Sequence, residues 1–330
     1  MITFHPRNGL AIENTELDRC PALTRDAIWV DLCDPTSEEE QALESALGLD
    51  LPTREEMQQI ETSNRLFKRN ELLFMTATLI AKAESQEPES CAVTFIYDAE
   101  RLVTIRYADL QPFRKFRARR DEHPQDYASA ASVLGGLLDA SVDRIADLLE
   151  LAGGGVDKLS RQVFRPARER RRAEQALALS ERGFRGILRK LGHTSELVSR
   201  ARESLVTLAR VIAFVRESCG EPGSELESHL KTQSRDVTAL SDHAAFLAGK
   251  ISFLLDATLG LINVEQNVII RVFTIAAVFF LPPTVIGTIY GMNFEHMPEL
   301  RWQLGYPFAL LLMLLSGIGP YVWLKRRGWF

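Results

Sequence analysis

The chain has 330 residues, of which 46% are apolar and 25% are charged, and its formal net charge is −5 at pH 7. This composition is ordinary for a folded protein, and the length allows two or three domains. A weakly acidic chain lacks the positive charge with which proteins bind nucleic acid, so we expect no nucleic-acid partner. The four cysteines have no pair spacing, which excludes a zinc ribbon or a dithiol motif and is typical of reduced cytosolic thiols.

Residues 1–125 have the pattern of a small α/β domain. Residues 28–32 predict a strand, and the helix that follows is capped by Thr36 or Ser37, with a glutamate three positions on. The chain begins without the basic region and apolar run of a signal peptide, so we expect this domain to be cytosolic. Three further strands, the last two forming a hairpin, are predicted at residues 70–82, 90–100 and 101–107.

Residues 126–266 show helical periodicity and predict a helical domain and stalk. Three glycines at residues 153–155 are predicted to interrupt the first helix, and residues 217–223 to end a later one. No strong stop follows until residue 290, which predicts a rod approaching ~100 Å in length. The basic run at residues 165–174 alternates with glutamate, so we interpret it as a solvated helix face and not as a nucleic-acid site.

Two apolar segments, residues 268–290 and 306–324, are each close to the ~20 residues that cross a bilayer. The alternative is a pair of buried core helices, but their adjacency and the flanking aromatic residues favour membrane helices. We expect the first membrane helix at residues 267–293, an external loop at 294–305, and the second helix with a basic cytosolic tail at 306–330. Both termini are predicted to be cytosolic from four basic residues: Arg271, Lys325, Arg326 and Arg327.

The stretch YGMNFEHMPEL, residues 290–300, lies between the two apolar segments and resembles the signature loop of the CorA family of magnesium channels. Residues 265–284, 305–313 and 321–330 also resemble this family, and residues 29–40 resemble it more weakly. The resemblance implies a homopentamer in the inner membrane, with first membrane helices around one central pore and cytosolic domains closed by Mg²⁺ between subunits. The predicted fold is an α+β membrane protein: an N-terminal α/β cytosolic domain, a long helical stalk and two C-terminal transmembrane helices, assembled as a homopentameric funnel.

Gly291, Met292 and Asn293 are the predicted selectivity filter. Mg²⁺ loses its water shell reluctantly, so an amide oxygen that accepts hydrogen bonds from bound water suits it better than a carboxylate cage. A simpler alternative is that Gly291 and Asn293 only end the helix, as both residue types favour C-terminal caps. Just outside, Glu295 and Glu299 are predicted to raise the local cation concentration, while His296 is interpreted as a loop residue.

Positions about one helical turn apart, counted back from Asn293, lie on one face of the first membrane helix. This stripe is polar near the outer mouth and apolar below it. A path without charges or fixed ligands allows rapid ion exit, and apolar constrictions can gate by dewetting. Helix–helix packing is the alternative for each apolar member. The predicted pore-lining residues are Asn267, Ile270, Phe273, Thr274, Ala277, Leu281, Thr284 and Thr288.

A regulatory Mg²⁺ site is predicted from acidic residues of the cytosolic part, Asp236 and Asp242 on the stalk and Asp98 or Glu100 on the hairpin. Carboxylates of two subunits would repel each other until Mg²⁺ bridges them. The acidic stretch at residues 36–44 is an alternative, although a capped and solvated helix explains it.

The predicted function is a channel for Mg²⁺, and also Co²⁺ or Ni²⁺, driven by the membrane potential and gated by internal Mg²⁺. The chain contains no phosphate-binding loop or catalytic motif, so we expect neither an enzyme nor an organic cofactor. The expected partners are copies of the chain, the lipid bilayer and divalent cations. Two alternatives stay open: a zinc transporter of the same superfamily and a membrane-tethered signalling protein.

Overall fold

The computed structural model describes residues 1–7, 9–14, 17–59, 61–85, 87–164, 180–219, 224–292, 298 and 302–327. The chain divides into two compact units, Met1–Leu255 and Asp256–Phe330. The first unit contains a β-sheet with helices, and the described elements of the second unit are helical. The predicted basic face at residues 165–174 lies outside the described residues.

The described strands form one mixed sheet in the first unit. They are β1 (Ile2–Pro6), β2 (Ile12–Asn14), β3 (Ala27–Cys33), β4 (Leu66–Arg69), β5 (Leu72–Ala81), β6 (Glu89–Tyr97) and β7 (Leu102–Arg106). Their order is β2-β1-β3-β7-β6-β5-β4, and β3 and β7 are parallel whereas the other neighbours are antiparallel. The predicted strands β3, β5, β6 and β7 are confirmed, including the β6–β7 hairpin. The sequence reading missed β1, β2 and β4, which are short and lie toward the edges of the sheet.

The described helices are α1 (Cys20–Asp26), α2 (Ser37–Leu47), α3 (Arg54–Met57), α4 (Thr62–Arg65), α5 (Gln111–Glu122), α6 (Ala130–Val163), α7 (Ser180–Cys219), α8 (Glu225–Tyr290) and α9 (Gly305–Arg326). The predicted cap of α2 is Thr36, whose hydroxyl accepts the Glu39 N–H at 3.3 Å while the Glu39 carboxylate accepts the Thr36 N–H at 2.9 Å. Gly48 ends α2 with φ of 66°, a conformation that costs glycine little.

Each face of the sheet has its own apolar core. On one face Phe4, Val30 and Ile105 pack with Leu43 of α2 and Met57 of α3. The other face is covered by α5, α6, α7 and the first part of α8, with buried residues such as Phe95, Phe113, Leu137, Leu208 and Leu247. The first unit is therefore a three-layer arrangement in which α8 contributes buried apolar side chains as far as Leu254 and the partly buried Leu255.

The three glycines at residues 153–155 do not interrupt α6, so that prediction is wrong. Ala152 and Val156 on either side of them are buried, and packing of these neighbours outweighs the weak helix propensity of glycine. A side-chain carbon at Gly153 would lie 3.7 Å from Leu247 Cδ2 of α8, whereas none would meet an atom within 4 Å at Gly154 or Gly155. Tertiary contacts of the neighbouring residues thus keep α6 helical at the three glycines, where its helix propensity is lowest.

A buried ion pair joins the parallel strands β3 and β7. The Arg106 guanidinium donates to the Asp31 carboxylate through Nε at 3.2 Å and Nη2 at 2.8 Å, and both residues are buried. Asp31 also accepts the Thr104 hydroxyl at 2.7 Å, and Thr104 accepts the Trp29 indole N–H at 3.0 Å. These bonds satisfy both charges, which a buried ion pair requires.

His5 of β1 lies in the same polar layer, fully buried and stacked on Trp29 with ring centroids 4.0 Å apart. Within the described residues neither of its ring nitrogens has a hydrogen-bond partner. Burial, followed by the nearby positive charges of Arg120 and Arg117, lowers the pKa of His5 from 6.5 to about 2. The folded chain therefore holds this imidazole neutral.

We predict that His5→Phe makes the protein less sensitive to acid. Unfolding lets His5 bind a proton between pH 6.5 and about 2, so its destabilising effect is absent above pH 6.5 and grows as the pH falls. From pH 7 to pH 5 the variant should lose about 2 kcal/mol less unfolding free energy than the unmodified chain. Thermal unfolding of the full chain in detergent at both pH values measures this difference. His193→Phe, at an exposed histidine of α7, should retain the full acid sensitivity, and a His5→Phe protein that retains it too would contradict the prediction.

Candidate functional site

The second unit contains the apolar part of α8 and the helix α9, and both helices are long and apolar enough to cross a membrane. The predicted first segment lies inside α8, which continues to Tyr290 without a break, and the predicted second segment lies inside α9. The helix α8 also continues through Pro282 and Pro283, as expected for a membrane helix packed on a neighbour.

The two helices contact each other along one face of α8. A side-chain carbon at Gly287 would lie 3.3 Å from Met313 Cε, and one at Gly317 would lie 3.4 Å from Pro283 Cγ. The Phe279 and Tyr321 rings meet edge to face, with centroids 6.5 Å apart. Positions 279, 283 and 287 therefore mark the face of α8 that α9 covers.

The predicted pore-lining stripe lies on the other side of α8. With 100° per residue, its eight members cluster roughly 140° around the helix from the face that contacts α9. All eight are exposed in the single chain. The large apolar members are among the most exposed, with Ile270 61%, Phe273 71% and Leu281 63% accessible. Among the described residues of the second unit, none covers this stripe, so we expect lipid or another chain to contact it.

Three threonines of the stripe use their hydroxyl hydrogens within the helix. The hydroxyls of Thr274, Thr284 and Thr288 donate to the carbonyl oxygens four residues earlier at 2.8, 2.7 and 2.8 Å. Each hydroxyl oxygen keeps lone pairs, so it can accept a hydrogen bond. The outer half of the stripe can therefore accept hydrogen bonds from the water molecules around a cation.

The predicted filter begins where α8 ends. The Gly291 N–H donates to the carbonyl oxygens of Gly287 at 3.0 Å and Thr288 at 3.2 Å, and the Met292 N–H donates to Ile289 O at 3.3 Å. A side-chain carbon at Gly291 would lie 3.2 Å from Gly287 O, so a larger residue here would require a shift of a few tenths of an ångström. Its φ is not in the left-handed region, unlike that of Gly48. The other predicted residues of the mouth, Asn293, Glu295 and Glu299, lie outside the described residues, as does His296.

No three of the predicted regulatory acids come together within the described parts of one chain. Asp236 and Asp242 are exposed on α8, and Glu100 is exposed on the hairpin turn. No group of three or more His, Cys, Asp or Glu residues in the described parts of the chain is placed to hold a metal ion. Asp98 also has a local role that the sequence reading missed, because its Oδ1 accepts the N–H groups of Glu100 at 2.7 Å and Arg101 at 2.6 Å.

A polar cluster that the sequence reading also missed joins α6 to the beginning of α8. His229 Nε2 lies 2.9 Å from Asp139 Oδ2, and the Gln233 amide donates to Asp139 Oδ1 at 2.5 Å and to Gly135 O at 3.0 Å. A side-chain carbon at Gly135 would lie 3.3 Å from His229 Cδ2, so this glycine lets the helices approach. These bonds fix the position of the first turns of α8 on the core of the first unit.

Comparison with known proteins identifies the family. A family model described as "CorA-like Mg2+ transporter protein" matches residues 25–326. The magnesium transport protein CorA of Mannheimia succiniciproducens is 32% identical over 326 residues, which cover 98% of this chain and 99% of that protein. The magnesium transport protein CorA of Salmonella typhimurium is 33% identical over 304 residues, covering 92% of each chain.

Solved structures confirm the fold. The complete structure of the CorA magnesium transporter from Methanocaldococcus jannaschii matches with a TM-score of 0.69 at 16% identity, covering 100% of this chain and 98% of that one. The full-length CmaX protein matches with a TM-score of 0.65 at 17% identity, covering 91% of this chain and 88% of its own. From the family model, the sequence relatives and the shared fold together, the chain belongs to the CorA-like family of Mg²⁺ transporters.

Proposed function

We propose that the chain forms a Mg²⁺ channel in which α8 of several copies lines one central pore. The observation that carries this proposal is the exposed stripe on α8, which faces away from α9 and leads to the Gly291–Met292 end of the helix. The hydroxyl oxygens of the stripe can still accept hydrogen bonds, which water can donate and lipid chains cannot. The pore lining is Asn267, Ile270, Phe273, Thr274, Ala277, Leu281, Thr284 and Thr288, with Asn293 at the outer mouth.

The proposed path handles the ion with its water shell. Mg²⁺ keeps several waters when it binds proteins, and those waters donate hydrogen bonds outward. The hydroxyl oxygens of Thr284 and Thr288 can accept them, and so can the amide oxygen of Asn293. Leu281, Phe273 and Ile270 offer no ligand deeper in the path, so the ion can leave quickly. Co²⁺ and Ni²⁺ carry the same charge and a similar shell, and we propose that they also pass.

The membrane potential supplies the driving force. A divalent cation gains about 4.6 kcal/mol per 100 mV, twice the value for one charge. We propose that the chain lies in the inner membrane with both termini in the cytosol, because Arg271, Lys325, Arg326 and Arg327 flank the spans on one side. Glu295 and Glu299 then lie outside, where they attract cations.

The copies are proposed to form a pentamer, and this number rests on the family resemblance alone. A second argument for several copies is independent of the family resemblance and rests on the exposed apolar side chains of α8. Phe273 and Leu281 are mostly exposed, and neighbouring copies of α8 would cover their flanks while leaving a central path. The Thr284 and Thr288 hydroxyls would then point toward water and not toward lipid.

Internal Mg²⁺ is proposed to close the channel by bridging two subunits. Asp236 and Asp242 on α8 of one copy would share the ion with Asp98 or Glu100 of the next. Asp236, Asp242 and Glu100 are exposed and Asp98 is half-buried, and no metal-binding group lies within the described residues of one chain, which is compatible with ligands split between copies. When internal Mg²⁺ falls, repulsion between the carboxylates would separate the subunits and open the pore.

A zinc transporter is the second candidate. The cytoplasmic domain of ZntB from Vibrio parahaemolyticus shares the fold, with a TM-score of 0.56 at 14% identity over 80% of this chain. Such a likeness shows the fold alone, whereas the complete YGMNFEHMPEL stretch favours Mg²⁺. Competition between Mg²⁺ and Zn²⁺ for uptake into proteoliposomes distinguishes the two. Uptake of Zn²⁺ that excess Mg²⁺ does not reduce would favour the zinc transporter.

We predict that Asn293→Ala abolishes most Mg²⁺ uptake. Loss of one hydrogen bond to a charged, hydrated ion costs about 1.5–3 kcal/mol, so the rate should fall more than about tenfold. Uptake into proteoliposomes under an inside-negative potential, after removal of internal Mg²⁺, measures the rate. Asn64→Ala, on an exposed helix of the cytosolic unit, is the control and should transport normally. Equal uptake by the Asn293→Ala protein and the unmodified chain would remove Asn293 from the filter.

We also predict that Asp98→Asn combined with Asp236→Asn weakens closure by internal Mg²⁺. Asparagine at position 98 can still accept the two turn N–H groups, so the hairpin is preserved while the negative charge is lost. The internal Mg²⁺ concentration for half-closure should rise about tenfold, within the usual range of coupling between sites. Patch-clamp currents at stepped internal Mg²⁺ measure it, with Asp256→Asn on the same helix as control. An unchanged concentration would exclude this pair of ligands.

A further inference from the structure

The contacts between α8 and α9 form a ladder centred on Gly317. Its three steps pair Gly287 with Met313, Pro283 with Gly317 and Phe279 with Tyr321. The partners advance by four residues on each helix and in opposite directions, which is how ridges of antiparallel helices pack. Gly317 occupies the middle step and is buried, although most of α9 is exposed.

The middle step lies beside a defect in the α8 backbone. Proline has no N–H, so Pro283 leaves the Phe279 carbonyl oxygen without its usual donor four residues later. A side-chain carbon at Gly317 would lie 3.5 Å from this oxygen, so the α9 backbone approaches it closely. The nearby Thr284 hydroxyl donates to Phe280 O, the next carbonyl along the chain. Lipid offers no donor, and a glycine Cα–H is a weak one.

We propose that Gly317 is a positioning residue for ion conduction. By allowing α9 to lie against Pro283 and the Phe279 carbonyl, it holds the double-proline segment of α8 in one geometry. The two turns beyond that segment carry Thr284, Thr288 and Gly291, so their direction toward the pore is set at Gly317. This inference rests on the proposed function of the α8 stripe.

The chain offers a matched control two residues away. Gly319 lies on the same helix and is exposed, and a side-chain carbon there would meet no atom within 4 Å. At Gly317 a single added carbon would make ordinary contacts at 3.4 and 3.5 Å, so alanine fits, whereas a leucine side chain would extend into the proline ring. The effect of substitution should therefore grow with size at position 317 and not at position 319.

The first test is Mg²⁺ uptake per assembled oligomer of the full chain in proteoliposomes. Gly317→Leu should lower it about tenfold or more, because overpacking displaces the double-proline segment. Gly317→Ala and Gly319→Leu should each stay within about twofold of the unmodified chain. In a Pro283→Ala background, which removes the ring contact and restores the donor to Phe279 O, Gly317→Leu should have a clearly smaller effect. Equal losses at positions 317 and 319, or the same loss in both backgrounds, would overturn the proposal.

The second test does not depend on ion transport. Thr288→Cys places a thiol on the outer part of α8, and the four native cysteines all lie in the first unit. The rate at which an impermeant thiol reagent labels this cysteine from outside should change more than about threefold with Gly317→Leu and stay constant with Gly319→Leu. An unchanged rate with Gly317→Leu would contradict the positioning role. Failure of the unmodified chain to take up Mg²⁺ would instead count against the proposed function, while the labelling result still decides the role of Gly317.

Discussion

The requirement that every backbone polar group find a hydrogen-bond partner determines that α8 stays helical along its whole length. A helix satisfies these groups internally, so one helix can pack into the apolar core of a water-exposed unit in one segment and form an apolar membrane span in another. The side chains of α8 change accordingly, from residues buried in the first unit, such as Leu247, to the largely exposed Phe273 and Leu281 in the second. The double proline breaks the internal bonding of α8, and Gly317 of α9 lies against it.

Much of this organisation could be predicted from the sequence because it follows from local patterns. The cap at Thr36, the β6–β7 hairpin, the uninterrupted α8 and the two apolar helices each depend on residues close together in the chain. The pore stripe could be proposed for the same reason, since helical spacing alone places Thr284 and Leu281 on one face. That face is exposed and turned away from α9.

Features that depend on contacts between residues distant in the chain could not be predicted from the sequence. The short strand β1 is stabilised by pairing with β3, and nothing in its five residues distinguishes it. The link between His229 and Asp139 joins residues 90 positions apart, and Gln233 joins the same cluster through its contacts with Asp139 and Gly135. Asp98 was predicted as a ligand of regulatory Mg²⁺ from its charge alone. Its carboxylate also accepts two N–H groups of the hairpin turn, which the sequence did not indicate. The proposed regulatory ligands belong to two copies, so no local pattern in the sequence pairs them.

The glycines at residues 153–155 leave α6 with an uneven resistance to local opening. Each glycine weakens a helix by about 1 kcal/mol relative to alanine, and Gly154 and Gly155 contribute no side-chain contacts in return. The well-packed segments on either side, around Leu148 and Leu159, are held by the core. Local unfolding begins where backbone bonds are least supported, so the amides near these glycines should exchange with solvent well before those of the flanking turns. The long helix would then behave as two cooperative segments joined by a soft connection.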